Sequence, residues 1–120
     1  MSQPLKLLFV CSQNKIRSLT AEHMLQDVPG YAVKSAGTEP RSRIRINEGH
    51  IGWADFIFVM EKKHRSILEE NFPDALAEKR VICLNIPDEY RCMEPALIHE
   101  LKAGISQHIE LPQAECPRDL

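Results

Sequence analysis

The chain lacks the marks of several large classes of protein. Its longest apolar stretch, around Leu7 to Val10, falls far short of the ~20 residues that span a bilayer, so no membrane-spanning helix is expected. The opening Met1-Ser2-Gln3-Pro4-Leu5-Lys6 has no cationic segment followed by a long apolar core. No secretory signal is read there, and the expected compartment is the cytoplasm, with reduced thiols. Neither sign of charge prevails, since 15 Lys and Arg stand against 17 Asp and Glu for a formal charge of −2. That balance speaks against a general nucleic-acid binder, whose affinity rests on a cationic excess. There is no internal repeat and no low-complexity segment. A hydrophobic content of 43% with 27% charged residues is that of a folded chain, not a disordered one.

A folded chain of 120 residues buries roughly two thirds of the surface its unfolded form exposes, so one hydrophobic core holds it without covalent staples. The four cysteines are therefore not required as a disulfide framework. In a reducing compartment a cysteine serves in the core, as a metal ligand or as a nucleophile, and its surroundings decide which. Cys83, Cys92, His99 and His108 can be drawn as a zinc set, but their spacing matches no compact finger, so no metal and no cofactor are expected.

Leu5 to Val10 reads as a strand covered on both faces. From Ser18 the period changes: Ala21, Met24, Leu25 and Val28 share one helix face, and Pro29-Gly30 stops it. Tyr31 to Ser35 reads as a second strand ending at Ala36-Gly37, and Ile46 to Trp53 as a short helix. Asp55 to Met60 is a third strand. Glu61 to Phe72 is a helix with Ile67, Leu68 and Phe72 on its apolar face, ended by Pro73. Val81 to Ile86 is a fourth strand. The last helix, from Glu94 to Ile109, presents Leu97, Ile98, Leu101, Ile105 and Ile109. His23, His50 and His64 are placed on polar helix faces. The expected architecture is a three-layer α/β sandwich around a four-stranded parallel sheet, doubly wound, formed by residues 1–112, with 113–120 a polar tail. Ligands of such sheets sit beyond the carboxyl ends of the strands, where Cys11 to Arg17 and Pro87 to Tyr90 both emerge.

The segment Cys11-Ser12-Gln13-Asn14-Lys15-Ile16-Arg17-Ser18 joins the first strand to the first helix. A chain that leaves a buried strand and coils straight into a helix points successive N–H groups at one spot, and the helix dipole adds positive potential there. Residues 12 to 18 thus read as a phosphate cradle. Arg17 is suited to two parallel bonds to the anion. Cys11 lies at the bottom of the same field, where a thiol is favoured as thiolate. Asn14 suits the left-handed backbone such a loop needs. Ser18 either donates to the Cys11 sulfur or caps the helix. Taken alone, Cys11 after Leu7-Leu8-Phe9-Val10 reads as an inert core residue and Asp88 after Pro87 as a turn residue. Arg41, Arg43 and Arg45 read either as a local basic patch or as a solvated loop.

Cys11, Asn14, Arg17 and Ser18 reproduce the Cys-x5-Arg-Ser opening of the low-molecular-weight protein tyrosine phosphatases, which the chain resembles over most of its length. Ser35-Ala36-Gly37-Thr38 is similar to the family's segment after the second strand, and the resemblance implies that Ser35 braces Asn14. Trp53 to Glu61 resembles the third strand with its Met-Asp. Ile86-Pro87-Asp88-Glu89-Tyr90 resembles the late Asp-Pro-Tyr, which implies Asp88 as general acid and Tyr90 as a wall for the substrate. Three positions depart from the family pattern: Gln13 stands for a glycine, Ile16 for a second cysteine and Glu89 for a proline. The short length is closest to a bacterial branch of predicted tyrosine phosphatases.

The resemblance implies hydrolysis of a phosphomonoester through a phosphocysteine, with Cys11, Arg17 and Asp88 as the catalytic set and a phosphotyrosine protein as the first expectation for the substrate. A nucleotide or an RNA phosphate end is the alternative suggested by the arginines, and the chain is expected to be a monomer or weak dimer. Two other activities fit the same loop: arsenate reduction with Cys83 and Cys92 as relay thiols, and phosphate binding without turnover.

Overall fold

The computed structural model describes residues 4–109, so the expected tail and the end of the expected domain lie outside the described residues. Leu7, Leu8, Phe9 and Val10 are each fully buried. Strand geometry sends them alternately to opposite faces of the sheet, which is why an unbroken apolar run is needed here. Leu7, Phe9 and Cys11 join one core with Ala21, Leu25, Leu97, Leu101 and Ile105, while Leu8 and Val10 join another with Ile51, Ile57, Leu68 and Leu76.

The elements run β1 (Leu5–Cys11), α1 (Arg17–Leu25), β2 (Tyr31–Gly37), α2 (Glu48–Trp53), β3 (Phe56–Val59), α3 (Lys62–Asn71), α4 (Pro73–Leu76), β4 (Arg80–Cys83) and α5 (Pro95–Ile105). The sheet has four strands in the order β2-β1-β3-β4, all parallel. Helices α1 and α5 contribute to the first core, α2, α3 and α4 to the second, giving the expected three layers. The chain turns to β2 on one side of β1 and later to β3 on the other. The crevice beyond the carboxyl ends of β1 and β3 is therefore the switch point at which such sheets receive ligands.

Several boundaries differ from the sequence reading. Helix α1 ends at Leu25, and Val28 packs on the core from the turn that follows. Strand β4 stops at Cys83, short of Ile86, because Asn85 takes the left-handed conformation (φ 56°) and turns the chain, although the N–H groups of Leu84 and Ile86 still bond to Val59 and Met60. Pro73 not only ends α3 but opens α4, whose Leu76 is buried. Proline suits a first helical position, where its missing N–H costs nothing. Helix α5 ends at Ile105, with Ile109 still packed against the core. Among the described residues no helix is long and apolar enough to cross a membrane.

Candidate active site

The loop after β1 is shaped from outside by the segment after β2. Thr38 N–H donates to the Cys11 carbonyl at 2.9 Å, Glu39 N–H to Ser12 at 3.0 Å and Arg43 N–H to Gln13 at 3.0 Å. Arg43 Nε adds a bond to the Asn14 carbonyl at 3.2 Å. A planar trans peptide holds its carbonyl and the next N–H in opposite directions, so turning these carbonyls outward turns the following N–H groups inward. Among the described residues the N–H groups of residues 12–16 bond to no protein acceptor. Helix α1 begins without a side-chain cap, at Ile16, which leaves its first amides open to an anion as well. Asn14 takes φ 59°, the left-handed turn the sequence anticipates.

The resulting cavity of about 170 Å³ is lined by Cys11, Ser12, Gln13, Lys15, Ile16, Arg17, Glu39, Lys63 and Asp88. Asn14 and Ser18 lie buried outside this lining and support it. Asn14 Nδ2 donates to Ser18 Oγ at 2.7 Å. That bond occupies one acceptor site on the hydroxyl, and Cys11 Sγ lies 3.0 Å from the same oxygen, within hydrogen-bond reach. Of the two roles open to Ser18, the structure selects the bond to the sulfur.

Arg17 is 2% exposed. Its Nη1 donates to Glu61 Oε2 at 2.7 Å and to the Ile86 carbonyl at 2.8 Å. The Nε and Nη2 edge remains, a pair of parallel donors of the spacing that matches two phosphate oxygens. Asp88 is 62% exposed on the rim, with Oδ1 4.0 Å from Arg17 Nε. Burial raises the Glu61 carboxyl, but its hydrogen bond with Arg17, the Arg17 charge, Lys63 and His64 together hold it below its usual range.

Sequence reasoning missed the anchor Glu61 and the pair beside it. His64, placed on a polar helix face, is fully buried, and its Nε2 lies 2.9 Å from Ser12 Oγ. The signal was available: His64 precedes Leu68 by four residues and so shares the inward face of α3. Burial, with the Arg17 charge, lowers its pKa to about 4.

Ser35 does not reach Asn14. Its hydroxyl donates to Glu22 on α1, and the same carboxylate oxygen lies 3.9 Å from Arg43 Nη2. Its support therefore passes through Glu22 and Arg43 to the Asn14 carbonyl. Tyr90 is not among the residues lining the cavity, because its ring packs against the core that α1 and α5 share. Gln13 adopts no positive φ where the family has glycine, and its amide reaches Glu39 Oε1 at 3.3 Å across the rim. Arg41 and Arg45 are exposed. Cys83 is half-buried in β4, with Sγ 3.3 Å from Asn85 Oδ1, while exposed Cys92 lies 3.8 Å from Thr20 Oγ1; neither lines the cavity.

No family model matches the chain. A protein-arginine-phosphatase of Geobacillus stearothermophilus is 30% identical over 96 residues, 60% of this chain and 65% of the relative, so the match spans just under two thirds of that protein. The solved structure titled YwlE arginine phosphatase, from the same organism, superimposes over 98% of this chain and all of its own with a TM-score of 0.61 at 22% identity. The low-molecular-weight protein tyrosine phosphatase SP-PTP of Streptococcus pyogenes superimposes over 93% of this chain and 98% of its own, with a TM-score of 0.71 at 14% identity. The fold is that of the low-molecular-weight protein tyrosine phosphatases. The tyrosine phosphatase Wzb of Escherichia coli K30, solved with phosphate, agrees with a TM-score of 0.70 at 18% identity over 88% of this chain and 96% of its own.

Proposed function

We propose that the chain is a cysteine-dependent phosphatase acting on a phosphorylated protein, with phosphotyrosine as the first substrate to test. The observation that carries this reading is the convergence of three groups on one cavity: the Cys11 sulfur, the unspent edge of Arg17 and the exposed Asp88 carboxyl.

In the first step Cys11 Sγ attacks phosphorus, the sulfur–phosphorus bond forms, and the bond to the leaving oxygen breaks. Asp88 gives that oxygen its proton. Arg17 and the inward N–H groups hold the three equatorial oxygens as charge redistributes, a preorganised field that needs no rearrangement at the moment of reaction. In the second step water attacks phosphorus, Asp88 takes its proton, and the sulfur leaves as thiolate. The Ser18 hydroxyl, held by Asn14 within 3.0 Å of Sγ, donates to that leaving thiolate.

The relative named a protein-arginine-phosphatase favours a second substrate reading, phosphoarginine. Its guanidinium would meet Lys15 and Lys63 on the rim, against which Glu39 and Asp88 supply opposite charge. A panel of phosphotyrosine peptides, phosphoarginine peptides, nucleotides and RNA ends, run on wild type, Cys11→Ser and Asp88→Asn, separates these readings. Cys11→Ser is expected to abolish turnover. Equal phosphopeptide affinity in wild type and Cys11→Ser, with turnover by neither, would make the chain a binding module. Cys92→Ser is expected to retain phosphatase activity, whereas an arsenate reductase relaying through that thiol would stop after one turnover.

A further inference from the structure

The buried pair under the rim has a direction that its hydrogen bonds impose. Glu61 N–H donates to His64 Nδ1 at 3.0 Å, so Nδ1 is an acceptor and carries no proton. In a neutral imidazole the proton then sits on Nε2, which lies 2.9 Å from Ser12 Oγ and donates to it. An imidazolium would turn a second N–H against the Glu61 N–H. The Ser12 oxygen is therefore an acceptor toward His64, and its own proton has no protein partner among the described residues. Ser12 lines the cavity beside Cys11 and Arg17.

From this geometry we infer that His64 is a positioning residue: by donating from Nε2 to Ser12 Oγ it turns the Ser12 hydroxyl proton into the cavity, as a side-chain donor to a bound phosphoryl oxygen. The inference rests on the phosphatase reading and deepens it, adding a hydroxyl donor to the amides and Arg17. The groups facing His64 come from every neighbouring element: Ser12 from the loop, Arg17 from α1, Glu61 and Lys63 from the start of α3, and Asp88 from beyond β4. Burial and the Arg17 charge lower the ring's pKa most, with Lys63 adding to the lowering and Glu61 and Asp88 opposing it. The outcome, about 4, keeps the ring neutral at physiological pH.

Nitrogen NMR of the ring in the full chain at about pH 7 should show a neutral His64 with its proton on Nε2. A protonated Nδ1 would overturn the inference. Titration with inorganic phosphate gives the functional test. Ser12→Ala and His64→Phe should each weaken phosphate about tenfold to a hundredfold, what a hydrogen bond to a charged group is worth. The double variant should be no weaker than either single one. His64→Gln, whose amide can donate to the same oxygen, should recover most of the loss. A merely structural histidine would instead cost affinity equally with and without the Ser12 hydroxyl, and that result overturns the proposal. So does undiminished phosphate binding by Ser12→Ala, which leaves the phosphatase reading standing if the wild type hydrolyses. A wild type that neither binds phosphate nor turns over a substrate would sink both.

Discussion

Arg17 is held from behind, with its Nε and Nη2 edge left to face the cavity. Both donors of Nη1 are committed to Glu61 and Ile86, which sets the plane of the guanidinium before any anion arrives. Replacing the charged partner by a neutral one, Glu61→Gln, should lower kcat/KM by about tenfold to a hundredfold with the fold intact. Unchanged kinetics would show that the loop alone orients the arginine. Asp88→Asn should slow substrates with poor leaving groups by about 10² to 10⁴, and those with good leaving groups much less. A loss equal across leaving groups would remove Asp88 from proton transfer. That Cys11, Arg17 and Asp88 share one cavity was legible from the Cys-x5-Arg-Ser and Asp-x-Tyr motifs at strand ends, whereas Cys11 and Asp88 taken alone read as a core and a turn residue. Glu61 and His64 were not legible, since an acidic residue and a histidine at a helix start also fit a solvated face. Only the i, i+4 relation to Leu68 marks His64 as inward.

At the scale of elements, the loop's shape depends on how near the chain after β2 can come. A Cβ on Gly37 would stand 2.7 Å from the Ser12 carbonyl oxygen and 2.2 Å from Ser42 Oγ. Rotation can move the Ser42 hydroxyl, but Ser42 Cβ, also 2.7 Å away, is fixed to its backbone, and the carbonyl belongs to the loop after β1. Gly37→Ala should therefore cost about 1–3 kcal/mol in denaturant unfolding and depress activity as Ser12 shifts. Loss of neither would mean that the two segments move apart freely. The strands were legible from their apolar runs and the helices from their periods. What escaped were places where a single residue decides: Asn85, whose left-handed turn ends β4 ahead of the segment that carries Asp88, and Pro73, read as a stop but serving also as a start. Tyr90, implied as a wall by the resemblance to Asp-Pro-Tyr, packs on the core instead, and a strand-end segment gives no period from which the direction of its ring could be read.

For the whole molecule, a net charge of −2 conceals a local positive field assembled from loop amides, a helix end and a buried arginine. The same burial makes stability depend on pH. His64 has a folded pKa of about 4 against an ordinary 6.5, so below 6.5 the unfolded chain takes up a proton that the folded chain refuses. Stability is thus fully present above 6.5 and is lost progressively as pH falls toward 4, by at most about 3 kcal/mol. The lowered Glu61 carboxyl acts in the same direction at still lower pH. Urea unfolding at about pH 7 and about pH 5 should show a larger loss in wild type than in His64→Gln. Equal losses would mean that the ring titrates normally. The central claim is that Cys11 carries the phosphoryl group, and the most direct test is acid quenching of the protein during incubation with a phosphorylated substrate, followed by mass spectrometry of the peptide containing residue 11. One phosphoryl group on Cys11, absent from Cys11→Ser, is the predicted result. Turnover that persists in Cys11→Ser, or that proceeds in wild type while the label lies on another residue, would contradict it.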